Sequence, residues 1–265
     1  MNDVNMENIK KINLEILKDF DRFCTQYDIK YSISFGTALG AKRHGGFIPW
    51  DDDIDVDMHI DEYKKFENMW NRFGNKEKYF LQTKKTDSNL PNIFPRLRMN
   101  NTTSMDKEGF QVQMHWGVPL DIFPYYNAPN SKILIKIMER LFEVMQKFCN
   151  YSFKHSKGNK VINKLTNLIT LVLSNMLNIM SMMFKRNDRI FYACGYAQRT
   201  YVQEKSIFLP QKRIKFEDTM LFAPNELGKY LEWQYGDYMK LPPKEERVQH
   251  RTYILDLNND YKKYI

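Results

Sequence analysis

Cysteine is scarce in this chain of 265 residues: only Cys24, Cys149 and Cys194 occur, far apart and with no Cys-x-x-Cys pair. That spacing excludes a disulfide framework and a zinc knuckle, and it suits reduced thiols in a cytoplasm. Eleven Gly and ten Pro are too few for a low-complexity chain. The first residues, Met1-Asn2-Asp3-Val4-Asn5, carry neither a basic nor an apolar segment of the secretory kind, so a cytoplasmic protein is expected. No Gly-x-Gly-x-x-Gly is present, and no fixed-period repeat. What the chain does have is 43% hydrophobic residues and 14% aromatics, enough to build one large domain or a domain with a helical annex.

Its charge is uneven. Residues 131–215 hold 16 basic and 4 acidic side chains, and since the whole chain carries +8, the remainder sums to −4. A basic segment attached to a near-neutral module points to a polyanion or an anionic lipid surface, with solvated helix faces as the plain alternative. Within that segment, Leu165 to Phe184 is a run of twenty residues without a charge. Its polar members Asn167, Thr170, Ser174, Asn178 and Ser181 recur at helical spacing and draw one stripe. Lys160 and Lys164 precede the run, and Lys185, Arg186 and Arg189 follow it. A helix packed inside the protein, one lying in the plane of an anionic membrane and one spanning it all fit this pattern.

Apolar spacing predicts a helix over Glu7–Tyr27, a strand over Tyr31–Phe35, a helix from Ala38 to Arg43 and a loop over 44–50. A strand over Asp53–Met58 and a helix from Asp61 to Phe73 follow. Short strands are expected at Tyr79–Thr83, Phe94–Met99 and Val118–Phe123. Helices are then expected at 131–149, 161–184 and 188–200, a hairpin over Arg213–Phe222, and a last helix opening at Pro224-Asn225-Glu226 and ending near Gly236. Three parts result: a catalytic core over 1–130, a basic helical segment over 131–212, and a C-terminal completion over 213–265.

The chemistry concentrates in Trp50-Asp51-Asp52-Asp53-Ile54-Asp55-Val56-Asp57-Met58. As a strand, this run sends Asp53, Asp55 and Asp57 to one face and Ile54, Val56 and Met58 into the core. Carboxylates that close repel unless a divalent cation lies between them, and hard oxygen ligands suit Mg²⁺ or Mn²⁺. A calcium loop started at Asp53 fails, because Met58 would stand where Gly is required and Lys64 where Glu belongs. A solvated acidic turn is the remaining alternative. Upstream, Gly36-Thr37 between a strand and a helix offers N–H groups, a hydroxyl and a helix dipole to a phosphate. It is no P-loop, since that spacing would need Gly at Ala41. Asp121, set among apolar residues in Gly117–Pro124, needs a partner, which shared metal or a buried salt bridge would supply. Arg43, His44, Arg96 and Arg98 lie close in sequence to these elements and are suited to phosphate oxygens.

From Phe35-Gly36-Thr37-Ala38-Leu39-Gly40 through Trp50-Asp51-Asp52-Asp53-Ile54-Asp55, the chain resembles the signature of the LicD-family phosphotransferases. Leu97-Arg98, Leu120-Asp121-Ile122-Phe123-Pro124, Tyr235-Gly236-Asp237-Tyr238 and Pro242-Pro243 resemble that family's later blocks in the same order, so the likeness runs from about residue 10 to 250. The resemblance implies an α+β, nucleotidyltransferase-like fold: a small mixed sheet with flanking helices and a helical annex. It also implies transfer of a substituted phosphate, such as phosphocholine or a polyol phosphate, from a CDP-activated donor to a hydroxyl of a cell-surface glycan, with release of CMP. Lipopolysaccharide, teichoic acid and capsule are the glycans such enzymes would modify. Separately, the uncharged stretch Leu165–Phe184 with Lys and Arg at both ends is expected to hold the enzyme against the inner membrane face, where lipid-linked acceptors reside. Fukutin-related transferases share the wider group, but their cysteine-rich zinc insert has no counterpart in three scattered Cys.

On this reading Asp53, Asp55 and Asp121 hold Mg²⁺ or Mn²⁺, Gly36 and Thr37 cradle a phosphate, and Arg43 and Arg98 clamp its oxygens, with His44 as the candidate base. A nucleotidyltransferase that releases pyrophosphate is the enzymatic rival. A nucleic-acid-binding protein is the rival of another class, but the basic residues over 157–189 lack interleaved stacking aromatics.

Overall fold

The computed structural model describes residues 3–107, 112–155, 160–192, 202–247 and 252–265. Its N-terminal half runs α1 (Asp3–Gln26), β1 (Ser32–Ile33), α2 (Phe35–His44), β2 (Asp55–His59), α3 (Ile60–Phe73), β3 (Tyr79–Gln82), β4 (Arg96–Met99), β5 (Thr103–Met105) and β6 (Pro119–Asn127). The helical hairpin α4 (Lys132–His155) and α5 (Lys160–Met183) follows. After it come β7 (Arg189–Tyr192), β8 (Val202–Glu204), α6 (Lys205–Phe208), β9 (Lys212–Phe216), β10 (Thr219–Ala223), α7 (Leu227–Tyr235) and β11 (Ile254–Asp256).

A seven-stranded mixed sheet organises the molecule, with the path β1-β2-β6-β4-β3 and with β7 and then β8 added beside β6. The central pair β2–β6 is parallel and its neighbours are antiparallel. Buried Val56, Met58, Leu97, Leu120 and Ile122 alternate with the other-facing residues of their strands, as the two-residue pleat requires. They join Ile16, Leu17 and Phe20 of α1 and Phe66 and Trp70 of α3 in the main core. A second core lies under the hairpin, where Met138, Phe142, Met145 and Leu177 meet Tyr126 and Phe191 of the sheet.

The fold is α+β, as expected, but several elements differ from the reading of the sequence. The acidic strand begins at Asp55, so Asp53 belongs to the preceding loop rather than to the pleat. The reason is a clamp from α1: Lys10 Nζ donates to the Pro49 carbonyl at 2.8 Å, and Asn13 Nδ2 to that of Asp52 at 3.0 Å. The helix expected over 188–200 is not formed at its start. Arg189–Tyr192 is a strand, because Ile190, Phe191 and Tyr192 are all buried and pair with Asn127, Tyr126 and Tyr125 of β6. The rest of that expected helix, with Cys194, lies outside the described residues.

Candidate active site

Strand register assembles the site. Asp55 of β2 is opposite Asp121 of β6, and Asp121 is opposite Arg96 of β4, so the three side chains form a row across one face of the sheet. The row opens into a cleft of about 880 Å³. Gly36, Arg43, Asp51, Asp53 and Arg98 also line it, and Trp50, Phe94, Trp116, Tyr235 and Tyr238 supply aromatic walls.

Each acid has a distinct setting. Asp55 is buried, its own N–H donates to Thr37 Oγ1 at 2.9 Å, and desolvation followed by Asp53, Asp121 and Asp51 pushes its carboxyl well above the usual range. Asp121 is paired with Arg96: Nη2 donates to Oδ2 at 3.0 Å, and Nε lies 2.8 Å from Oδ1. The Nε–H is not aimed at Oδ1, which is left buried with no donor directed at it. Asp57 points to the same face of β2 but is not among the cleft-lining residues. Burial, partly offset by hydrogen bonds from Tyr192, Ser34 and Tyr230, lifts its carboxyl to about 8.

The first turn of α2 forms the opposite lip. Phe35, the first residue of that helix, takes a left-handed φ of 42°, and its N–H donates to Tyr230 Oη at 3.2 Å. A Cβ on Gly36 would stand 2.3 Å from Asp51 Oδ2, so a larger residue there would displace the Asp51 carboxylate. The helix N-terminus thus lies close to the acidic loop, and its positive dipole end faces the cleft.

Four of the remaining expected site residues fall in different places. Thr37 is buried and ties α2 to β2 rather than lining the cleft. Arg43 lines the cleft, donates through Nη1 to the Tyr238 carbonyl at 3.0 Å, and reaches His44 Nε2 through Nε at 3.0 Å. His44 is accordingly Arg43's acceptor and stands outside the lining; burial, then Arg43 and Lys10, lower its pKa, so the ring is neutral at pH 7. Arg98 lies at the floor, only 1% exposed, bonded to Gln82 Oε1 and to the Gly117 carbonyl at 2.6 Å. Burial lowers its pKa to about 9, and it remains a cation at neutral pH.

The sequence points to Arg98 as the clamp and marks Arg96 only as a neighbour, whereas Arg96 is the one paired with Asp121. Reasoning from sequence missed the aromatic Trp50, which lies between the guanidinium groups of Arg247, at 4.7 Å from the ring centroid, and Arg43, at 6.0 Å. An aromatic beside a run of three acids was the available signal.

Comparison with known proteins agrees with this architecture. Residues 28–146 match the LicD/FKTN/FKRP nucleotidyltransferase domain, which spans α2, β2 and β6 and so carries Asp55 and Asp121. The lipopolysaccharide cholinephosphotransferase LicD of Haemophilus influenzae is 31% identical over 261 residues, covering 91% of this chain and 95% of that protein. The chain belongs to the LicD family. It is a LicD-like phosphotransferase with a nucleotidyltransferase-like fold. Uncharacterized proteins of Rickettsia prowazekii and Rickettsia typhi are each 51% identical over 49 residues, 18% of this chain and 18% and 16% of theirs.

Proposed function

We propose that this LicD-family enzyme transfers phosphocholine, or a related substituted phosphate, from a CDP-activated donor to a hydroxyl of lipopolysaccharide or a comparable surface glycan. The row Asp55–Asp121–Arg96 at the floor of an aromatic-walled cleft carries the reading. The substrate choice follows the Haemophilus relative, which is named for cholinephosphate transfer to lipopolysaccharide.

Asp55 and Asp121, with Asp53 from the adjoining loop, would hold Mg²⁺ or Mn²⁺. Two observations fit that role: Asp55 is buried with like charges around it, and Asp121 Oδ1 is buried with no donor aimed at it. Among the described residues no three such side chains stand ready at cage spacing, so ligation would draw them together. The cation, when bound, supplies charge neutralisation for donor phosphates and a lowered pKa for a nearby hydroxyl. Arg96 holds Asp121 in register and is a second positive charge beside the phosphates. Gly36 lets a phosphate approach the N-terminal amides of α2, and Arg43 is a further cation lining the cleft. The acceptor oxygen bonds to the phosphorus bearing the choline, the bridging oxygen departs with its electron pair on CMP, and positioning does much of the remaining work.

Incubating the purified protein with CDP-choline and isolated lipopolysaccharide, then analysing products, tests the assignment. CMP in step with glycan-bound phosphocholine is expected. Pyrophosphate release from a nucleoside triphosphate, without any CMP from CDP-choline, would move the protein to the nucleotidyltransferase reading.

A further inference from the structure

Helix α5 puts much of its apolar surface outside. The side that faces the protein is mixed: Thr166, Thr170 and Ser181 are buried there with Leu177, Thr170 5% and Ser181 1% exposed, and Leu173 and Met180 pack beside them. Ser181 Oγ accepts from the Asn127 N–H at 2.9 Å, and its carbonyl accepts from Asn127 Nδ2 at 3.1 Å, fastening the helix to β6. Thr170 Oγ1 donates to the Thr166 carbonyl at 2.8 Å, and Ser152 of α4 donates to Asn163 of α5 at 2.8 Å. The opposite side carries Leu165, Leu168, Val172, Met176, Ile179 and Met183 at intervals of three and four, all exposed, Val172 by 50% and Ile179 by 59%. A helix on a water-facing surface shows the reverse arrangement. Val161–Met183 is also long and apolar enough to cross a bilayer by length and composition alone.

Charge says what covers this face. No acid or base interrupts Leu165–Phe184, while exposed Lys164 stands at one end and exposed Lys185 and Arg186 at the other. On α4, exposed Ile137, Val144 and Tyr151 repeat every seven residues, and exposed Lys136, Arg140, Lys147 and Lys154 run alongside them. The acids on these elements are few: Glu139, Glu143, which is paired with Arg140 at 2.7 Å, and Asp188 beyond the helix. Lys185 also lies 3.8 Å from Asp61 of α3. A second copy is a poor cover, because stacking α5 on α5 in either direction sets positive ends against positive ends.

We propose that the exposed face of α5, with the basic residues around it, docks this enzyme in the headgroup plane of an anionic bilayer. The helix lies flat rather than spanning, since its polar side is held by Asn127 and α4 and could not enter hydrocarbon without carrying the sheet and the lysines of α4 with it. Apolar burial supplies retention, and the surrounding Lys and Arg supply the preference for negative lipid.

Co-sedimentation of the purified full chain with vesicles of phosphatidylethanolamine and phosphatidylglycerol, against vesicles of phosphatidylcholine alone, is the test. Wild type should pellet with the anionic vesicles only, and less as salt rises. The double variant Val172→Asp/Ile179→Asp should stay in the supernatant with an unchanged circular dichroism spectrum. Lys185→Gln/Arg186→Gln changes only exposed side chains and so avoids any question of folding. It should weaken anionic binding by about thirtyfold at low salt, the effect of two cations at a charged surface. Equal indifference to lipid charge and to both variants would overturn the proposal. So would a wild-type dimer in solution that V172D/I179D converts to monomer, which would make the face a contact between copies.

Discussion

Two regions of this molecule break the ordinary rule of polar outside and apolar inside, in opposite senses. Around β2 and β6, carboxylates are brought inside: burial first, and then Asp53, Asp121 and Asp51, raise the pKa of Asp55, and Arg96 is the cation bonded to Asp121. On α5, apolar side chains are put outside, while Thr170 and Ser181 occupy the packed side. Both arrangements cost folding free energy in water. Under the proposed reaction and the proposed docking, a bound cation beyond Arg96 would offset the first and a low-dielectric surface the second, in keeping with the tendency of local rules to fail at functional sites.

The comparison is broken most sharply at Asp55. Asp55→Asn removes a ligand charge at nearly constant volume, so turnover should fall by at least about a hundredfold, the scale lost when one electrostatic group of a preorganised site is removed. Thermal unfolding of the same variant without added metal should move up rather than down, because one of several crowded negative charges is gone. Lower activity joined to lower stability would mean that Asp55 is an ordinary structural acid. Arg96→Gln comes next. It leaves Asp121 without its paired guanidinium, and steady-state kinetics should show a loss of about 10- to 100-fold, in the range seen when a group that orients a ligand is removed.

Stability changes along α5 are smaller and should run backwards from a normal amphipathic helix. Ser181→Ala strips the hydroxyl that accepts from the buried Asn127 N–H and should cost about 1–3 kcal/mol in denaturant unfolding. Val172→Ser replaces an exposed apolar side chain by a polar one and should stay within about 0.5 kcal/mol of wild type. If the serine-to-alanine change proves harmless and the valine change costly, the helix faces the other way and the contrast between the two regions disappears.

Much of this was legible in the residues, and what was not had a physical cause. Alternation in Asp55-Val56-Asp57-Met58 shows which side chains share a face, because the pleat has a period of two wherever the strand is placed. It does not show where the strand starts. Lys10 and Asn13, 39 residues upstream, pin the loop before it, and Asp53 falls in that loop. Arg96 and Arg98 sit two apart on one strand face, so only the register with β6 decides that Arg96 meets Asp121 while Arg98 goes to Gln82 and Gly117. The polar stripe on α5 is a fact of spacing, but which side of the helix meets the protein depends on Asn127, 54 residues earlier. Ile190-Phe191-Tyr192 is a three-residue apolar run that suits a buried strand as well as a helix, and pairing with β6 settles the matter.

In the proposed reaction the paired carboxylates of β2 and β6 form a divalent-cation site on which turnover depends. Mn²⁺ binding followed by electron paramagnetic resonance, on wild type and on Asp55→Asn, with CMP release measured in the same samples before and after chelation, tests it most directly. Saturable Mn²⁺ binding to wild type, its loss in the variant, and turnover that stops with chelator and returns with Mg²⁺ or Mn²⁺ is the result predicted. Undiminished turnover in chelator, or equal Mn²⁺ binding by both proteins, would contradict it.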